Sequence, residues 1–142
     1  MLPYLVLGLI LYMFTAPVQG WMSDDKFGDK LEKMYRLWHD DCMKKTGAPE
    51  NTVELIRSGI FPDDPRMKAY NRCLYTDVMD KNARLLPEKL DYYIYPAFGK
   101  TGLKMYLDCE EKVKDEANYD DRVYKMQQCI YEANPDVSFN FF

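Results

Sequence analysis

The sequence predicts an all-α domain, a compact bundle of six helices. Three observations carry that reading. Apolar residues recur at spacings of three and four with no sustained alternation, prolines and glycines punctuate the chain at helix-sized intervals, and the 142 residues suffice for one domain. No internal repeat or low-complexity tract is visible.

The first segment stands apart from that domain. MLPYLVLGLILYMFTAPVQG carries an apolar run from Leu5 to Phe14, no charged side chain, and small residues at Val18 and Gly20 suited to a cleavage site. It has the pattern of a signal peptide over 1–20, which leaves 21–142 as the helical domain of a secreted, extracellular protein. About ten core apolar residues are too few to span a bilayer, which needs roughly 20, so no stable membrane insertion is expected.

The elements follow in order. Ser23 is a candidate N-cap, and Phe27, Leu31, Met34, Tyr35, Trp38 and Cys42 form one face of a first helix. Pro49 opens a short second helix, with Val53 and Ile56 inward, that closes at Gly59. Asp64 as N-cap and Pro65 at the first helical position start a third, with Met67, Tyr70, Leu74 and Val78 on one face, expected to run to about Lys81. A fourth restarts at Pro87 and should break near Pro96, because proline lacks the amide proton and clashes with the preceding turn. Leu103, Tyr106, Leu107 and Val113 mark a fifth, and Val123, Met126 and Ile130 a sixth that starts near Asp121. Beyond Pro135 the sequence leaves helical periodicity in an extended tail, DVSFNFF.

Charge and chemistry narrow the function. The formal charge of −4 disfavours nucleic acid and anionic membrane as partners. His39 is the lone histidine and no motif supports it as a catalytic base, so no catalytic residue is assigned. The acid pairs Asp63 with Asp64 and Asp120 with Asp121 sit at predicted helix starts, where negative charge complements the helix end. No phosphate-binding or calcium-binding loop is present and no cofactor is expected. In an oxidising compartment, four cysteines in a short chain point to two disulfides. Structural zinc brings its ligands in close pairs, whereas Cys42, Cys73, Cys109 and Cys129 are each isolated, so no metal is assigned. Four cysteines allow three pairings, and spacing does not choose among them.

The cysteine frame nevertheless resembles that of the insect odorant-binding proteins, the PBP/GOBP family. Cys42, Cys73, Cys109 and Cys129 match the first, third, fourth and sixth of that family's six cysteines, and KTGAPE, GIFPDDPRMKAYNRC and DEANYDDRVYKMQQC are similar to the family across the mature chain. The second and fifth would fall at Ala69 and Asp120. In the family those two pair with each other, so their joint absence resembles the four-cysteine "minus-C" branch. The resemblance implies disulfides Cys42 with Cys73 and Cys109 with Cys129, and a third helix less rigidly tied to the start of the last.

It also implies a pocket. The mature chain holds seven Met, six Phe, ten Tyr and two Trp, an apolar inventory suited to the wall of a cavity, with tyrosine hydroxyls to fix a polar end. Positions carried over by their offset from the matched cysteines are Trp38, Tyr75, Val78, Val123 and Ile130. The apolar stripes add Met34, Leu86, Ile94, Tyr106 and Met126, and the tail adds Phe139, which is expected to fold back over the pocket as a lid. The implied function is a secreted carrier for small hydrophobic molecules such as odorants or pheromones. An olfactory receptor or a second copy of the chain would be its macromolecular partner. The alternative of another class is a secreted non-enzymatic protein of the same fold that works through surface contacts with a protein partner. A small hydrolase dependent on His39 is a further alternative.

Overall fold

The computed structural model describes residues 25–135, with the side chains of residues 25–32 and 34 outside that description. The expected signal segment and the tail that carries Phe139 lie outside the described residues.

Five helices follow one another: α1 Asp25–Thr46, α2 Thr52–Arg57, α3 Pro65–Leu74, α4 Pro87–Val113 and α5 Tyr119–Ala133. An isolated bridge between Met79 and Leu85 is the extended pairing recorded among the described residues. The central helix α3 packs against both α1 and α5, and α4 packs mainly against α5.

Local sequence accounts for most of the helix ends. Asp64 takes an extended conformation and its carboxylate accepts the Arg66 N–H at 2.8 Å, with Pro65 at the first helical position, where no amide proton is needed. Asn118 does the same for α5, accepting from the Asp121 N–H at 3.0 Å, so the cap precedes the acid pair instead of being part of it. Past the end of α2, Gly59 adopts the expected left-handed conformation, φ 73°.

Two expectations need correction. The third helix stops at Leu74, well short of Lys81. Thr76 turns its hydroxyl onto the Cys73 carbonyl at 2.7 Å, and the Asp80 carboxylate collects the N–H groups of Asn82 and Arg84 at 2.7 and 3.0 Å. Such side-chain bonds offer the backbone an alternative to helix, and a tight loop forms instead. The fourth and fifth helices are the two halves of α4, which explains five helices where six are expected. The break lies at Gly99 (φ 64°, ψ −164°), not at Pro96. Pro96 removes one helical hydrogen bond, but the chain turns where a residue without a Cβ reaches a backbone region closed to other residues. At the same corner a Cβ added to Gly102 would lie 2.2 Å from the Phe98 Cβ, so the two halves meet closely.

Both disulfides are present. Cys42–Cys73 joins the end of α1 to the end of α3, and Cys109–Cys129 joins α4 to α5. They close loops of 31 and 20 residues. In the chain-entropy account each is worth about 3 to 4 kcal/mol. The loop after α3 is held separately: Glu110 of α4, itself buried, accepts the Leu85 N–H at 2.7 Å and the Arg84 Nε–H at 3.0 Å.

Candidate functional site

The interior between α3, α4 and α5 is one continuous apolar cluster. Tyr75, Val78, Ile94, Tyr106, Val123, Met126 and Ile130 are all brought into it, each no more than 2% exposed. Helical periodicity puts them there: Val123, Met126 and Ile130 follow each other at three and four residues along α5. Trp38 packs at the edge of the cluster, its ring 5.6 Å from that of Tyr93 in an edge-on arrangement. Leu86 is not in the cluster; it is half-buried at the N-cap of α4. The side chain of Met34 and all of Phe139 lie outside the described residues.

Sequence reading missed part of this interior. Leu90, Tyr93 and Phe98 of the first half of α4 are buried in the same cluster. So are two polar side chains, Asn71 and Gln127, each with no exposure. The signal for both was positional: Asn71 interrupts the stripe of Met67, Tyr70 and Leu74, and Gln127 follows Met126 on α5.

Two of the buried tyrosines hydrogen-bond to polar side chains of neighbouring helices. The Tyr75 hydroxyl donates to Oε1 of Gln127, which ties the end of α3 to α5, and Tyr106 of α4 is buried in the same interior. Burial pushes both phenols well above their ordinary value of 10.0. They are neutral hydrogen-bonding groups throughout the physiological range. A second polar group sits between α1 and α3, where His39 Nδ1 and the Tyr70 hydroxyl share a hydrogen bond of 2.6 Å. Burial, then the neighbouring Tyr35, raises the Tyr70 phenol strongly.

Outside the core, a cleft of about 190 Å³ opens where α3 ends. Its floor is made by the buried Tyr75, Met79 and Ala83, and its rim by Arg72, Thr76, Asp80 and Lys81. No group of three or more His, Cys, Asp or Glu residues that could hold a metal is found among the described residues. No helix among them is long and apolar enough to cross a membrane. The arrangement is an apolar interior that holds a few neutral hydrogen-bonding groups.

A helical bundle stapled by two disulfides around an apolar interior defines the class of the insect odorant-binding proteins. The chain belongs to the PBP/GOBP family, whose model matches residues 24–133. Apis mellifera odorant binding protein 5 shares the fold: its structure superposes with a TM-score of 0.62 at 21% identity, over 77% of this chain and 93% of that one. The family is one of carriers and binding proteins, not of enzymes.

Proposed function

We propose that the chain is secreted after loss of residues 1–20 and carries a small hydrophobic molecule, an odorant or pheromone, in its interior. The observation that supports this most directly is the shared apolar interior, to which α3, α4 and α5 all contribute. Trp38, Tyr75, Val78, Ile94, Tyr106, Val123, Met126 and Ile130 form the proposed wall. Binding is reversible burial: an apolar ligand gains about 25 cal/mol for each Å² withdrawn from water, enough for micromolar affinity with no covalent step. Leu86, Met34 and a lid that contains Phe139 remain part of the proposal at its margins.

The test is displacement of a fluorescent naphthylamine probe from the oxidised mature chain. A probe that binds and is displaced by volatile alcohols or esters supports the carrier. A probe that is never taken up overturns it and favours action through surface contacts.

A further inference from the structure

Asn71 lies in the middle of α3 with no exposed surface, and neither its Oδ1 nor its Nδ2 has a hydrogen-bond partner among the described residues. A primary amide carries two donors and an acceptor, and withdrawing them from water with nothing in return is costly. The other buried polar side chains of the interior are engaged: Gln127 by Tyr75, and Glu110 by Leu85 and Arg84. Asn71 stands out against that pattern. Buried polar groups are nearly always satisfied, so one that is not marks a place where a polar atom arrives from elsewhere.

Its position suits a ligand. By helical spacing Asn71 is one turn beyond Met67 and one turn before Leu74 and Tyr75, and all three of these are buried. It is therefore a single polar point on an apolar stripe that faces the core. We propose that Asn71 is a specificity-determining residue, whose amide binds the one neutral oxygen function, hydroxyl or carbonyl, of an otherwise apolar ligand. The proposal rests on the carrier reading and names the ligand class for it. Nδ2 donates to a carbonyl oxygen, and Oδ1 accepts from a hydroxyl. A carboxylate fits poorly, because the charged side chain buried in the described interior is the acid Glu110, and no buried cation balances a second negative charge.

The test uses displacement of the naphthylamine probe by three ligands of equal chain length: an alkane, the corresponding alcohol and its acetate ester. Replacement Asn71→Leu keeps the number and branching of the heavy atoms and removes the amide. The alcohol and the ester should each lose about ten-fold in affinity, the worth of one hydrogen bond, while the alkane binds as before or more tightly. Asn71→Ala gives the same comparison should the leucine variant not fold. Equal losses for all three ligands, or none, while the wild type binds, would overturn the role of Asn71 and leave the carrier standing. A wild-type chain that takes up neither probe nor ligand would overturn both.

Discussion

Lys68 of α3 and Asp121 of α5 form an ion pair of 2.7 Å, and one turn further along α3 Arg72 reaches Asp120 at 3.1 Å. Ala69, where the related six-cysteine proteins would have a cysteine, lies between the two cations. The guanidinium of Arg72 also stands 5.3 Å from the centre of the Tyr119 ring. Where a third bridge is missing, α3 and the start of α5 are joined by charge.

A charged joint answers to salt, and a covalent one does not. Replacing Lys68 and Arg72 together by methionine should lower the melting temperature by a few degrees at low ionic strength, with the difference shrinking in high salt. Hydrogen bonds to Asp121 and then Asp63 raise the Lys68 ammonium above its ordinary 10.5. Its contribution is thus complete below about that pH and fades as pH rises past it. Melting curves across salt and pH check this; a double variant with wild-type stability at low salt contradicts it.

Tyr70, Tyr75 and Tyr106 should make the fold sensitive to alkali. All three have no exposure, and burial is the leading cause that raises each phenol above 10.0. Above that pH the unfolded chain loses phenolic protons that the native chain keeps. Stability is therefore intact below pH 10 and falls beyond it, by about 1.4 kcal/mol per pH unit for each such tyrosine. Absorbance at the phenolate band should show one set of tyrosines that titrates freely and another that titrates only as helicity is lost. A single smooth titration with the helices intact would contradict the prediction.

Glu110 is a test of what holds the loop after α3. In Glu110→Ala the Leu85 N–H, on a residue only 7% exposed, loses its acceptor. The expected cost is about 1 to 3 kcal/mol in urea unfolding. Glu110→Gln, which keeps an acceptor oxygen, should lose less. If the two variants unfold alike, the bond to Leu85 is not what stabilises the loop.

Features legible in the sequence were those decided within a few residues or by the cysteine frame. Asp64 with Pro65 announces a helix start, Gly59 a helix end, and Cys42 and Cys109 find Cys73 and Cys129 as the resemblance implies. The burial of Val123, Met126 and Ile130 was legible because α5 keeps one unbroken period. The early end of α3 was not, since it depends on Asp80 capturing backbone groups within its own loop and on Glu110 arriving from α4. Asn71 and Gln127 escaped notice for a related reason. A polar residue on an apolar stripe looks like a flaw in the stripe until tertiary structure shows it sealed inside.

The corner at Gly99 has an effect on phase. Ile94 and Tyr106, both without exposure, are twelve residues apart. On an unbroken helix at about 100° per residue they would point roughly 120° away from each other. On the same wheel Leu90 and Ala97 on one side of the corner would lie roughly 100° to 180° away from Tyr106 and Cys109 on the other, although all four are buried. A straight rod of that sequence would turn one of its two inward stripes to the solvent. The bend rotates the second segment back, so that two out-of-phase stripes look onto one interior, and a single helical wheel drawn over α4 shows no face at all.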